Sequence, residues 1–278
     1  MPIITFWSEN QKPIGQTVAA SVAATNMAVD YNYKILLVSV DFNNNMLEMS
    51  FGAQESNKKI VKNLVQSNQM NLGSGIEGLM KLANSNRITP EIIHDYTKII
   101  FKNRFEILYS PVNMEKEEDK ANIMAKMKNI IMNASRYYDQ VIVDLKKGNE
   151  YSQQEEILNL SDIIVLNVDQ RVDSIESLLD NEFVKKNSKK IIWNICKYDK
   201  NSKYNAKNLA RKYFKKEVVH TIPYNTLISE VTQEEMLVEL ILKFRTLREE
   251  GENLEFVSSV RELLEEILLR YKLTRSMM

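Results

Sequence analysis

Several residue types are scarce in this sequence, and each scarcity excludes a kind of site. Among 278 residues there are one cysteine and two histidines. The single cysteine, Cys196, excludes an intramolecular disulfide and suits a reducing cytoplasm. It lies in the apolar run IIWNIC, which predicts a buried structural thiol rather than a nucleophile. The two histidines, His94 and His220, are too few for a histidine-rich metal site.

Glycine and long hydrophobic runs are scarce as well. The chain has seven glycines, and its first loop contains only Gly15 of a G-x-G-x-x-G pattern, which argues against a Rossmann-type dinucleotide enzyme. No apolar run approaches the roughly 18 residues that a membrane span requires. The 37 basic and 37 acidic residues balance. These features predict a globular, cytoplasmic protein, and the hydrophobic fraction of 44% allows a sizeable core.

Short apolar runs alternate with longer helical patterns along the chain. The runs are rich in Ile, Val and Leu with little polar alternation, which is typical of strands buried on both faces. They lie at Ile3–Trp7, Ile35–Val40, Phe105–Tyr109, Gln140–Leu145, Ile163–Val168, Lys190–Cys196 and Val218–Thr221. The alternation predicts the α/β class, with a doubly wound, mostly parallel sheet of about seven strands and helices on both faces. Residues 51–100 are expected to form a helical excursion, in which Thr89-Pro90 begins a helix.

The loop after the first strand is similar to a phosphate-binding loop without its lysine. The pattern G-x-x-x-x-G-K-[ST] falls on residues 10–17, where Gly15 and Thr17 match and Gln16 replaces the lysine. A helix that begins here can cradle phosphates with its backbone N–H groups, although Pro13 supplies none. Loss of the lysine removes a cation from the γ-phosphate, and such a loss commonly raises the barrier by several kcal/mol.

Four further features follow the loop in order. Asp41 ends the strand of KILLVSVD, Asp144 ends the strand of YDQVIVDLKKG, Asn194 lies in IIWNICKY, and Pro223 follows the last short strand. With the loop, this order resembles the ParA/MinD family of deviant P-loop ATPases over about residues 1–245. The resemblance implies a P-loop NTPase-like fold and a degenerate nucleotide site.

The resemblance also implies a role for each matching position. Asp41 would be the catalytic residue that orients the attacking water, and Thr17 and Asp144 would hold Mg²⁺. The residues implied to bind ATP are Asn10, Gln11, Lys12, Gly15, Gln16, Thr17, Val18, Asn194 and Pro223. Because Gln11 and Gln16 replace the two lysines of the family's loop, ATP and Mg²⁺ binding is expected to be weakened or lost, and hydrolysis with it.

From the residues alone, these positions keep structural alternatives. Thr17 could cap the first helical turn, and Asp41 and Asp144 could cap strand ends. Asn194, a buried amide that needs partners, either contacts adenine or belongs to a structural network. Lys12 could partly substitute for the lost lysine from a shifted position.

A basic block is the second informative feature. Between Lys185 and Lys216 there are twelve Lys or Arg residues and one acid, Asp199, with three tyrosines interleaved. The block is either a patch for DNA phosphates or anionic lipid headgroups, or a solvated helix face.

The chain is expected to divide into a domain over residues 1–248 and a C-terminal amphipathic helix with its tail over residues 249–278. The apolar stripe of that helix comprises Val257, Val260, Leu264, Ile267, Leu268 and Tyr271. Its polar positions mix acids with bases, whereas membrane-surface helices favour Lys and Arg. Docking onto its own domain or onto a partner helix is therefore favoured, while the basic, apolar tail leaves peripheral contact with the inner face of the membrane open.

Two functional hypotheses follow from the resemblance. The first is a pseudo-ATPase or weakened nucleotide switch that positions protein partners, as in the TadZ/CpaE-like branch that localises pilus or secretion machinery. The alternative is an active ATPase in DNA partitioning that uses the basic 185–216 block. A homodimer is compatible with either hypothesis.

Overall fold

A mostly parallel sheet lies at the centre of the computed structural model, which describes residues 2–9, 12–41, 46–52, 76–83, 88–110, 117–146, 151–214, 218–247 and 251–276. Within these ranges the strands are β1 (Ile3–Trp7), β2 (Ile35–Val40), β3 (Lys98–Phe101), β4 (Phe105–Leu108), β5 (Gln140–Leu145), β6 (Ile163–Val168), β7 (Ile191–Tyr198) and β8 (Val219–Pro223). Their order is β3-β4-β2-β5-β1-β6-β7-β8. Only the β3–β4 pair is antiparallel among the described strands.

The predicted fold class is confirmed, with one strand more than expected. The additional strand is β3, four residues at the edge of the sheet and inside the stretch that was predicted to be helical. Its side chains are only partly buried, so it lacks the signature of a strand buried on both faces. The predicted helix start is confirmed, because Thr89 caps a helix whose first residue is Pro90.

Helices cover both faces of the sheet. In the described ranges they are α1 (Gln16–Asp30), α2 (Met46–Phe51), α3 (Ile76–Ala83), α4 (Pro90–Asp95), α5 (Glu117–Ala134), α6 (Tyr151–Leu160), α7 (Val172–Asp180), α8 (Glu182–Lys186), α9 (Ala206–Leu209), α10 (Thr226–Val231), α11 (Leu237–Phe244) and α12 (Glu252–Ser276). A π-helical turn, Ala210–Phe214, continues α9. Alternate side chains of β1 enter the two cores: Ile4 and Phe6 pack with α1 and α12, whereas Ile3 and Trp7 pack on the opposite face.

The first helix is buried on nearly every side. From Gln16 to Ala28 all of its residues except Val18 are buried, because it packs against β1, β2 and β5 on one side and α11 and α12 on the other. The small residues Ala19, Ala20, Ala23 and Ala24 permit this close approach. An amphipathic stripe is absent where a helix is enclosed all round, and the enclosure fixes the position of the helix N-terminus.

The C-terminal helix docks onto its own sheet. Phe256, Val260, Leu264 and Ile267 of α12 are buried in the core shared with α1, and α12 also contacts β8, β6 and α11. The apolar stripe predicted from the sequence is therefore largely covered by the protein itself. No helix within the described ranges is long and apolar enough to cross a membrane.

Candidate functional site

A cavity of about 470 Å³ lies at the carboxyl ends of the central strands. The loop after β1, the first turn of α1 and the residues that follow β2 and β5 form its floor. A bulge in β7, helix α2 and the end of α10 form its walls. Ligands of open α/β sheets bind at this edge, and the sequence predicted a site here for that reason.

Asp41 and Lys146 form an ion pair on the floor of the cavity. Strands β2 and β5 pair in a register that places Val40 opposite Leu145, so the next residue of each strand, Asp41 and Lys146, lies beside the other. Lys146 Nζ is 2.9 Å from Asp41 Oδ2, and the two side chains are 23% and 8% exposed. The carboxylate predicted to orient the attacking water is thus neutralised by a lysine of this chain.

Gln16 occupies the position of the phosphate-binding lysine, but its amide points into the protein. Its Nε2 donates to Asp144 Oδ1 at 2.6 Å, to Phe6 O at 3.0 Å and to Leu145 O at 3.0 Å. Gln16 therefore bridges the ends of β1 and β5 at the base of the cavity. Its Oε1 is buried without a hydrogen-bond partner.

Asp144 lies behind this amide and does not line the cavity. Burial raises the pKa of the Asp144 carboxyl, which favours its neutral form, while Thr17, Gln16 and Lys146 oppose that rise and Asp41 adds to it. Thr17 Oγ1 contacts the carboxyl closely enough to lower its pKa, although the contact is not a well-formed hydrogen bond. Its buried hydroxyl lines the cavity.

Gly15 caps the N-terminus of α1 with a φ of 100°, a left-handed conformation that favours glycine. A Cβ at this position would lie 3.5 Å from Lys197 Cγ. Lys197 itself has a φ of 50° at an irregularity in the β7–β8 register, and its Nζ donates to Pro13 O at 3.0 Å. The bulge in β7 thus directs the Lys197 side chain across the loop that follows β1.

The remaining predicted nucleotide residues are divided between the cavity and other places. Lys12 and Val18 line the cavity, whereas Asn194 and Pro223 do not. Asn194 is fully buried in the middle of β7, where its Nδ2 donates to Asn167 Oδ1 at 2.8 Å. This geometry is that of the structural network considered as the alternative to adenine contact.

Two of the residues implied to bind ATP, Asn10 and Gln11, lie outside the described residues. Lys146 and Lys197 were not among the predicted site residues, and Lys197 was counted only as part of the basic block. The pairing of β2 with β5 was the missing information for Lys146.

The described residues of the basic block do not form one patch. Four of its lysines precede β7 and others follow it, so they lie at ends of a strand whose length is about 20 Å or more. Lys185 pairs with Asp180 at 3.0 Å, and Lys200 pairs with Glu255 at 2.7 Å. The exposed members on α9 and the following π-helical turn are Lys207, Arg211 and Lys212, while Lys215 and Lys216 lie outside the described residues.

The fold is shared with proteins of known structure, one of them solved with a bound nucleotide. MinD from Pyrococcus horikoshii, solved with Mg-ADP, matches with a TM-score of 0.66 and 14% identity over 96% of this chain and 97% of that one. A ParA family ATPase from Chlorobium tepidum matches with a TM-score of 0.64 and 14% identity over 87% and 93%. This chain has the ParA/MinD fold.

A third structural match is a chain from a protein complex. The MinC:MinD cell division complex of Aquifex aeolicus matches with a TM-score of 0.59 and 16% identity, over 95% of this chain and 98% of that one. No protein-family model and no curated protein matches the sequence. At these identities the likeness establishes the fold, and the chemistry must be judged from the site residues.

The residues of this ParA/MinD-fold site fit a phosphate group better than Mg²⁺. Gly15, the N-terminus of α1 and nearby lysines suit an anion. Mg²⁺ prefers carboxylate oxygens and water, but Asp144 is covered by Gln16 and Asp41 carries the ammonium of Lys146. Within the described residues there is no group of three or more acidic, His or Cys side chains that could hold a metal. The metal implied by the fold therefore does not fit this chain.

Proposed function

We propose that this protein is a positioning scaffold with the ParA/MinD fold that no longer hydrolyses ATP. The observation that carries the proposal is the position of Gln16, whose Nε2 lies 2.6 Å from Asp144 Oδ1. One uncharged side chain both replaces the phosphate-binding cation and covers the carboxylate that would support Mg²⁺. The Lys146–Asp41 ion pair then occupies the carboxylate that would orient the attacking water.

The scaffold would act through protein partners. MinD, which shares this fold, is known in complex with MinC, so the fold is compatible with such docking. Together with the degenerate loop, this supports a role like that of the TadZ/CpaE-like branch, which places pilus or secretion machinery. A homodimer is part of the same proposal, as is peripheral contact with the cytoplasmic face of the membrane.

ATP turnover by the purified protein tests the loss of hydrolysis. With ATP and Mg²⁺ we expect the same background rate from the wild type and from Asp144→Asn, because neither would place a metal-bound water. A rate that exceeds background and falls in Asp144→Asn would refute the proposal, since a contaminating ATPase would not respond to the substitution.

The positioning role is tested in the source cells with a fluorescent fusion. We expect discrete foci at the pilus or secretion apparatus, and the same foci for Thr17→Ala, because localisation would not depend on the nucleotide state. Diffuse fluorescence in cells that assemble the apparatus normally would contradict the role.

The second candidate is DNA partitioning, favoured by the exposed basic residues of α9 and the following π-helical turn. Counterion release makes such binding strongly salt-dependent. Binding to random duplex DNA that weakens steeply with salt, and weakens further in Lys207→Met/Arg211→Met, would favour this candidate. Equal binding by wild type and variant would count against it.

A further inference from the structure

The cavity keeps a positive charge although its expected lysine is gone. Lys12, Lys146 and Lys197 line it, and Asp41 is the only carboxylate among the described residues of its lining. Both Lys146 and Lys197 come from the ends of strands, rather than from the loop that carries the cation in a P-loop. The net charge of the lining is therefore suited to an anion.

The main chain fixes the place of Lys146. Its N–H donates to Val40 O at 3.2 Å, and its carbonyl accepts from Gln154 Nε2 at 2.8 Å. Gln154 is buried and accepts in turn from the indole of Trp7 at 3.2 Å. Lys146 thus starts from a rigid backbone, and Asp41 orients its ammonium.

The ammonium of Lys146 retains donors for a ligand. A lysine ammonium has three N–H donors, and the ion pair with Asp41 is satisfied by one. In addition, the Thr17 hydroxyl is buried and lines the cavity. Its contact with the Asp144 carboxyl lowers the pKa of that group but is not a well-formed hydrogen bond, so the hydroxyl can donate to a ligand instead.

We propose that Lys146 takes the place of the metal ion, so that the cavity binds a diphosphate group directly, without Mg²⁺. The diphosphate would lie between Lys146, Lys197, the Thr17 hydroxyl and the N-terminus of α1. A cavity of about 470 Å³ has room for such a group. This inference rests on the proposed loss of the metal-dependent switch, and it adds a ligand class and a residue that recognises it.

The diphosphate group has two sources, a nucleotide or a free anion. Neither Asn194, the predicted adenine contact, nor Pro223 lines the cavity. The recognition available from the described residues is therefore directed at the phosphates. Calorimetry with ADP and with pyrophosphate distinguishes the sources: tighter binding of ADP assigns the nucleotide, and equal binding assigns the free anion.

The test is calorimetric titration of the full-length protein with both ligands, first in EDTA and then with excess Mg²⁺. We expect binding in EDTA that Mg²⁺ leaves unchanged or weakens, since Mg²⁺ screens the charge of the diphosphate. Lys146→Met should lower the affinity in EDTA by about tenfold or more, the range of a hydrogen bond to a charged group. Lys207→Met, an exposed lysine on α9, is the matched control and should bind as the wild type does.

Because Lys146→Met leaves Asp41 without its ion-pair partner, the double variant Asp41→Asn/Lys146→Met checks for misfolding. It should keep the wild-type melting curve and still bind weakly, whereas Lys146→Arg should retain most of the affinity. Binding that requires Mg²⁺, no binding in EDTA at millimolar ligand, or wild-type affinity in Lys146→Met would each overturn the proposal. Absence of binding would leave the scaffold function intact, whereas ATP turnover would refute that function separately.

Discussion

Replacing Gln16 by glutamate is a sharp test of the site geometry, because it exchanges one amide nitrogen for oxygen without changing the shape of the side chain. In the wild type, Nε2 faces three acceptors, Asp144 Oδ1, Phe6 O and Leu145 O, at 2.6 to 3.0 Å. A carboxylate in the same place would face the carbonyl oxygens of Phe6 and Leu145 with no proton between them, whether or not Asp144 is protonated. The folded variant must therefore hold one more proton than the wild type.

The free energy needed to hold that proton determines how much Gln16→Glu destabilises the folded protein. A glutamate of ordinary pKa, about 4.3, is ionised in the unfolded chain at neutral pH, and each pKa unit corresponds to about 1.4 kcal/mol. Holding the proton in the folded state at about pH 7 therefore costs about 3.7 kcal/mol of unfolding free energy. The difference from wild type should shrink by about 1.4 kcal/mol for each pH unit below neutrality and largely vanish near about pH 4.3.

Urea unfolding at several pH values measures both the loss and its slope. Gln233→Glu is the matched control, because Gln233 lines the same cavity but is exposed, and its unfolding free energy should change by less than about 0.5 kcal/mol. If the amide of Gln16 instead pointed toward Lys146 and Lys197, a glutamate there would gain two cations. A Gln16→Glu variant as stable as the wild type at neutral pH would therefore refute the geometry.

Three further predictions concern the same fold. Burial raises the pKa of Asp144, so the wild type loses the stability contributed by the neutral carboxyl as the pH rises through the folded-state pKa. The stability of Asp144→Asn relative to the wild type should therefore increase between about pH 4 and neutrality, as measured by urea unfolding midpoints. Burial lowers the pKa of His220 from 6.5, so His220→Leu should reduce the loss of stability that follows acidification below that value, measured by thermal melts. Arg270 donates to Ile191 O at 2.6 Å and to Glu266 Oε1 at 2.6 Å, so Arg270→Ala should lower the unfolding free energy by about 1–3 kcal/mol and speed amide exchange in α12; unchanged exchange would contradict this docking role.

The fold was predictable because its interior strands are apolar on both faces. Ile35–Val40 and Ile163–Val168 are buried at every position, so their sequences contain almost no polar interruption. β3 was missed because Lys98–Phe101 is a short edge strand with partly exposed side chains, and its alternation is too brief to distinguish from a helix end. A strand that is buried on both faces has a recognisable apolar run in the sequence, whereas an edge strand is defined by the neighbouring strand with which it pairs.

The site was predictable only in part, because its chemistry depends on side-chain direction. Lys12, Gly15, Gln16 and Thr17, which the loop spacing grouped as nucleotide-binding residues, line one cavity. Spacing does not reveal that the Gln16 amide turns inward to Asp144, since that direction depends on three acceptors on two separate strands, β1 and β5.

The Lys146–Asp41 pair has a consequence for any attempt to engineer an ATPase from this chain. Placing lysine at position 16 would put a cation beside Asp144, but Lys146 would still hold Asp41 and repel a divalent ion. Removing Lys146 first would take away the ammonium that balances the charge of Asp41, which is 8% exposed. Neither substitution is useful without the other, because the effects of substitutions at neighbouring residues that share partners are not additive. Metal-dependent hydrolysis at this site would thus require a pair of substitutions that occur together, so it is difficult to reach one step at a time.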